Sequence, residues 1–527
     1  MSKRYYVTTP IYYVNDDPHI GHAYTTLACD VLARFKRLDG FDVKFLTGTD
    51  EHGQKVAKSA ANAGMDPQAF TDKVSGNFRE LARFMGFSND DFIRTTEDRH
   101  TRACQALWRK LEEKGEIYLG SYAGWYAVRD EAFYAESELK PGPGGKKLAP
   151  SGAEVDWVEE PSYFFRLAAW QGRLLEFYDA HPDFILPPSR RNEVTSFVSG
   201  GLQDLSISRT TFKWGVPVPG DEAHIMYVWL DALTNYITAV GYPVVDKGEF
   251  TTYWPADLHM VGKDILRFHA VYWPAFLMAA GLEPPKRVFA HGWWTNEGQK
   301  ISKSVGNIID PIKLVETYGL DPVRFFLLRE VPFGNDGDFS HAAMVNRMNG
   351  ELANDYGNLA QRVLSMINKN CAAKVPAPGP FVAADEALLG QAHGLLDRLR
   401  QATDVQAFHD ALESLWLVIR AANVYVDAQA PWKLAKEDPK RMQTVLYTLA
   451  ETIRHLAILT QPFMPGSSAK MLDQLAVGDD RRSFACLGPA HALQPGTPLP
   501  APAGVFPRFL DPAAADAGAV EAGKGRK

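Results

Sequence analysis

The chain has 527 residues, more than one hydrophobic core of about 250–300 residues holds, so several domains are expected. Its 56 Lys and Arg against 63 Asp and Glu leave a net charge of −7, which excludes a generally basic nucleic-acid coat and confines any RNA contact to local basic patches. Four widely separated cysteines exclude a C-x-x-C zinc pattern and fit a reducing compartment, and no window reads as a signal peptide or a bilayer span, so a cytoplasmic protein is expected.

In chain order, the apolar-aromatic residues 5–14 predict a strand, followed by Pro18-His19-Ile20-Gly21-His22 and a helical segment over 23–36. A strand–turn–helix order leaves unpaired N–H groups and partial positive charge at the helix start, which suits a phosphate. His19 and His22 share a face there, and Gly21 allows a ligand to come close. Residues 43–48 predict a second strand, ending at Asp50-Glu51-His52-Gly53. Ligands of open α/β sheets bind beyond such strand ends, although an Asp there also serves as a helix cap.

Residues 66–117 read as helical, with Phe78, Leu81, Phe84 and Met85 at helical spacing, and the polar stretch 90–100 reads as loop. Between 118 and 225, short aromatic runs alternate with small and charged residues, as in half-buried strands, and 141–147 reads as an exposed turn. α/β character returns at 225. Trp229, Ala232 and Tyr236 share one helical face, residues 254–264 predict a strand and a loop with Gly262 and Asp264, and 265–278 predicts a helix with Phe268 and His269. Lys300-Ile301-Ser302-Lys303-Ser304 places two lysines beside two hydroxyls, a cationic clamp for phosphates. Leu352, Tyr356, Leu359, Val363 and Met366 form an amphipathic stripe, with further helices expected over 386–424 and 440–460.

The His19-Ile20-Gly21-His22 tetrapeptide and the distant Lys-Ile-Ser-Lys-Ser run together resemble the class I aminoacyl-tRNA synthetases, and the residues between them resemble the methionine family. The resemblance implies an α/β Rossmann-like catalytic domain, split by a small connective insertion and followed by an all-α helical-bundle anticodon-binding domain. Its boundaries are 1–117 and 226–290 for the catalytic domain and 118–225 for the insertion. A stem-contact fold over 291–350, the bundle over 351–495 and a C-terminal segment over 496–527, flexible at its end, complete the chain.

It also implies roles. His19, His22, Lys300 and Lys303 form the catalytic set, and Tyr13, Gly21, Gly262, Asp264 and Trp294 join them around ATP. Ile11, Asp50, Trp229, Ala232, Tyr236, Phe268 and His269 line a methionine pocket. Asp50 faces the amino group, aromatic walls contact the thioether, and either His269 or the Tyr236 hydroxyl reads the sulfur. Asn358, Arg362, Pro431 and Trp432 match anticodon-reading positions.

Two departures from the family stand out. Ile301 replaces the usual Met, a volume-conserving swap, and no cysteine lies between Cys104 and Cys371, so the insertion is expected to lack zinc. The expected partners are methionine, ATP with Mg²⁺, and tRNA(Met), the initiator included, acting on a monomer without membrane attachment. Rivals fit less well. The cysteine enzyme wants metal ligands in its pocket, the branched-chain enzymes need a larger insertion, and a small-molecule nucleotidyltransferase has no use for Asn358, Arg362 and Trp432. A non-catalytic RNA-binding relative has no need of the two histidines and two lysines retained here.

Overall fold

The strand Arg4–Thr8 is buried from Tyr6 onward, and its neighbours Asp42–Asp50 and Leu258–Gly262 are buried along nearly their whole length, as strands covered on both faces are. In the computed structural model, which describes residues 3–14, 17–130, 132–301 and 306–510, it lies inside a seven-stranded sheet. The order is Ile185–Leu186, Val288–His291, Leu258–Gly262, Arg4–Thr8, Asp42–Asp50, and every pairing is parallel. Tyr12–Tyr13 pairs with Thr49 and Asp50, resuming the ladder after Pro10, which has no N–H to give it. Asp91–Arg94 adds the last strand on Asp42–Asp50.

That last strand overturns the loop expected over 90–100. Only Ile93 of its four residues is buried, so it carries no apolar alternation to read. Its charges are paired in the fold: Arg94 donates to Glu51 at 2.7 and 2.9 Å, and Arg99 reaches Asp91 at 2.8 and 2.9 Å. Likewise Ile185–Leu186 falls inside the stretch 118–225 yet pairs with Val288 and Phe289 as an edge strand of the main sheet. Two residues are too few to show a pattern. The rest of that stretch is built on an antiparallel pair, Ile117–Ala127 with Asp156–Phe165, flanked by Ala132–Tyr134 and Leu205–Ser206. Beyond it, Ala127, Ala149, Ala153 and Val155 make a small core of their own.

The chain divides into two compact units, residues 1–33 with 42–293, and residues 34–41 with 294–527. The second unit holds a three-stranded sheet, Gln299–Lys300, Trp294–Asn296 and Gly337–Phe339, and a bundle of helices. The stripe Leu352, Tyr356, Leu359 and Val363 is buried as expected. Its first half lies in a π-helical stretch, Arg347–Gly357, and in the α-helix Asn358–Asn370 that follows, Leu364 and Ile367 are buried while Met366 is half-buried. The helix expected over 386–424 is three: Ala383–His393, Leu395–Asp404 and Phe408–Gln429, interrupted at Gly394 and near Gln406. Residues 496–510 pack on the bundle. Phe506 lies against Tyr356, and the Phe509 N–H donates to Asn349 at 2.8 Å. The tail 511–527 lies outside the described residues.

At Gly48 a Cβ would stand 2.1 Å from the Ile93 carbonyl oxygen. Gly48→Ala is therefore expected to force the two parallel strands apart at a cost of about 3 kcal/mol, read as a lower melting temperature.

Candidate active site

A cavity of about 430 Å³ opens at the carboxyl ends of the parallel strands. The central strands each deliver one part of its wall. Pro10 to Tyr13 follow Arg4–Thr8, Asp50 ends Asp42–Asp50, Gly262 and Asp264 follow Leu258–Gly262, and His291 and Trp293 follow Val288–His291. The helix Val228–Thr238 supplies Trp229, Ala232, Leu233, Asn235 and Tyr236.

His19 and His22 stand at the start of the helix Ile20–Leu38 with ring centroids 3.9 Å apart. The His19 backbone N–H donates to His22 Nδ1, and the Gly21 N–H donates to His19 Nδ1, each at 3.1 Å. Both Nδ1 atoms accept, so the neutral tautomer carries its proton on Nε2 in each ring. Burial lowers both pKa values, further at His22, where His19 adds to it, than at His19, where Asp264 partly offsets it. The pair thus offers two neutral N–H donors. Gly21 serves this arrangement first, since a Cβ there would meet His19 Cε1 at 2.9 Å. Gly262 likewise leaves room for the Asp264 carboxylate, which would stand 2.5 Å from its Cβ.

Trp229 lines the cavity, and Phe268 stacks behind it at 3.7 Å with the rings 8° from parallel. Phe268 is thus a backing and not a wall. His269 Nδ1 lies 2.9 Å from the Ile265 carbonyl, which only accepts, so Nδ1 holds the proton and Nε2 accepts from the Tyr236 hydroxyl at 2.7 Å. Both protons expected to read a sulfur are therefore used within the protein. Burial brings the His269 pKa down to about 4.

Trp294, expected at ATP, packs its side chain on Phe326 inside the second unit, and the neighbouring Trp293 lines the cavity. Lys300 lies on the exposed strand Gln299–Lys300, with its carbonyl held by Asn307 at 3.1 Å. Lys303 lies outside the described residues. In the bundle, Asn358 opens the helix Asn358–Asn370 and is exposed, as is Trp432, while Pro431 is buried. The Arg362 guanidinium lies 5.5 Å from the Trp432 ring centre and is held by Asp427 at 3.0 Å. Sequence reasoning missed Asp427, Lys55, Asn235, His291 and Trp293, none of which lies in a motif.

This order of parts on one parallel sheet is that of the class I aminoacyl-tRNA synthetases. Residues 5–364 match the family model described as tRNA synthetases class I (M), and residues 375–524 match the anticodon binding domain of methionyl tRNA ligase. A methionine–tRNA ligase of Mesorhizobium japonicum is 58% identical over 515 residues, covering 98% of this chain and 99% of that one. The structure of Mycobacterium tuberculosis methionyl-tRNA synthetase in complex with methionyl-adenylate aligns with a TM-score of 0.94 at 56% identity, over 96% of this chain and all of that one. The free form of the same enzyme aligns at 0.89, with 52% identity over 97% of this chain and 99% of that one. The chain belongs to the methionine–tRNA ligase family.

The buried histidines set a sign for acid stability. Unfolded imidazoles take up protons below the ordinary value of 6.5, whereas folded His269 holds off to about 4. The unfolded state therefore binds more protons in that window, and stability falls as pH drops through it. His22, His259 and His291 act in the same direction. Melting temperature measured from pH 7.5 to about 4.5 is expected to fall, and less steeply in His269→Gln, which has no titrating ring.

Proposed function

We propose that the protein joins methionine to tRNA(Met) in two steps, with the cavity at the strand ends as the adenylation site. The single observation carrying this is the cavity itself: neutral imidazole donors on one side, a buried carboxylate and stacked aromatic rings on the other. In the first step a methionine carboxylate oxygen attacks the α-phosphorus of ATP, and the bond to pyrophosphate breaks. No protein nucleophile is needed, so catalysis is positioning and charge stabilisation. The Nε2–H groups of His19 and His22 donate to phosphate oxygens as charge builds. Asp50 receives the substrate ammonium, while Trp229, Ala232, Tyr236, Ile11 and His269 enclose the thioether. Because His269 and Tyr236 hydrogen-bond each other, the sulfur is read mainly by shape and polarizable contact.

In the second step a hydroxyl of the terminal tRNA ribose attacks the activated carbonyl and AMP leaves. Tyr13, Gly262 and Asp264 hold the nucleotide, and Lys300 and Lys303 neutralise its phosphates. Mg²⁺ travels with ATP, bound mostly by phosphates and water, for which the exposed Asp264 is the cavity's most accessible carboxylate. The reading of a zinc-free insertion rests on the lack of cysteine between Cys104 and Cys371 and is supported by the small alanine-valine core. Asn358, Arg362 and Trp432 read the anticodon, Trp432 by stacking on an unstacked base. We further propose a cytoplasmic monomer that charges tRNA(Met), the initiator included. Among the described residues no helix is long and apolar enough to cross a membrane.

Amino-acid-dependent ATP–pyrophosphate exchange without tRNA is the direct test, run with each amino acid in turn. Exchange with methionine alone is expected, and exchange with another amino acid would sink the pocket assignment. Lys303→Ala is expected to slow exchange about a hundredfold while leaving methionine affinity nearly intact. Trp432→Ala is expected to lower charging efficiency by about tenfold or more and to spare exchange. Equal loss of both activities would refute a separable anticodon reader.

A further inference from the structure

Behind the cavity wall lies a fully buried ionisable cluster that the reaction leaves unused. Asp231 sits in the helix Val228–Thr238 between pocket residues Trp229 and Ala232, and it does not itself line the cavity. Its Oδ2 lies 2.6 Å from His52 Nδ1, and its Oδ1 lies 2.7 Å from His100 Nε2. Burial alone pushes the Asp231 carboxyl up, but the two imidazoles outweigh it and hold the group ionised, below the usual carboxylate range.

His52 stands two residues beyond Asp50. The loop they share is held at several points, including Thr95 and Thr96 on Glu51, and three of them reach it from distant elements. The Trp214 indole donates to the Glu51 carbonyl at 2.6 Å, Arg94 grips the Glu51 carboxylate at 2.7 and 2.9 Å, and Asp231 holds His52. Only the last of these ties the loop to the helix bearing Trp229, Ala232 and Tyr236. The Asp50 carboxylate and the aromatic wall must face one amino acid at a fixed spacing, and they come from elements far apart in sequence.

We propose that Asp231 is a positioning residue for methionine capture, setting through His52 the distance between the Asp50 carboxylate and the Trp229–Tyr236 wall. The proposal rests on the methionine-activating reading of the cavity. Cys104 lies 3.2 Å from His100 Nε2 and 3.8 Å from Asp231 Oδ1, so a metal centre is the competing reading of the same residues. The geometry disfavours it. Ligand atoms around tetrahedral zinc stand about 3.3 Å or more apart, well beyond the short Asp231–His100 contact. Burial also keeps the Cys104 thiol protonated by raising its pKa well above the ordinary value.

The test is exchange kinetics and equilibrium methionine binding on the full chain. Asp231→Asn keeps shape and loses charge and one acceptor, so KM and Kd for methionine are expected to rise about tenfold while KM for ATP changes less than about twofold. His52→Ala is expected to reproduce this loss. His52→Asn places an amide nitrogen near the imidazole Nδ1 and is expected to restore methionine KM to within about threefold of the native value. In the His52→Ala background, Asp231→Asn is expected to add less than about twofold, because the link is already cut.

If Asp231→Asn fails to fold, the two His52 variants carry the comparison. An Asn variant as poor as the Ala variant, equal rises in methionine and ATP KM, or one equivalent of bound zinc in the purified protein would each overturn the proposal. A native protein that binds no methionine would fail the reading of the cavity itself and take the proposal with it. Native binding left unchanged by Asp231→Asn would fail the positioning role alone.

Discussion

All seven strands of the main sheet run in one direction, and everything at the cavity depends on that constraint. Parallel strands end on the same edge, so the residues just past each end meet although they are far apart in the chain. Pro10 to Tyr13, Asp50, Gly262 with Asp264, and His291 with Trp293 arrive in this way. The helix Ile20–Leu38 starts at that same edge, which brings His19 and His22 to the group as well. The break at Pro10 is part of the device. It interrupts the ladder between Thr8 and Tyr12, and the displaced residues Pro10 and Ile11 become cavity wall.

Burial then decides the chemistry of the groups brought together. Desolvation disfavours charge on every histidine of the cavity, so His19, His22, His269 and His291 act as neutral rings whose hydrogen bonds choose the tautomer. Backbone N–H groups on Nδ1 turn His19 and His22 into Nε2–H donors, while the Ile265 carbonyl on Nδ1 turns His269 into an acceptor for Tyr236. One residue type thus does opposite work within one cavity. Among the carboxylates, Asp231 behind the wall is held by two imidazoles and Asp264 lies near solvent.

Much of the site could be read before the fold. Ile11, Tyr13, His19, Gly21, His22, Asp50, Trp229, Ala232, Tyr236, Gly262, Asp264 and His269 all line the cavity, because each sits in or beside a motif whose spacing the chain displays. The misses have local physical causes. Two aromatics that stack on each other from different helices cannot be ranked by sequence: Trp229 is the wall and Phe268 backs it. Adjacent aromatics cannot be told apart either: Trp293 faces the cavity while Trp294 packs on Phe326. A one-residue step reverses the direction of a side chain in a strand. Short edge strands were invisible for a different reason. Asp91–Arg94 and Ile185–Leu186 owe their place to neighbours already paired and to charges such as Arg94 on Glu51, not to any periodicity of their own.

The sequence by itself determined the class of chemistry. Two histidines around a glycine at a helix start, a carboxylate at a strand end, an aromatic helix face and a basic Ser-Lys loop are local patterns, and local patterns fix local structure and the kinds of groups on offer. It also set the domain order, since a run of alternating strands and helices and a run of amphipathic helices differ in period throughout. Tertiary structure alone decided which of those groups meet and in what protonation state. Arg362 beside Trp432, Tyr236 donating to His269, and Asp231 between His52 and His100 join residues 33 to 179 positions apart. Such contacts, and the desolvation that goes with them, arise only when separate elements pack, and no spacing along the chain encodes them.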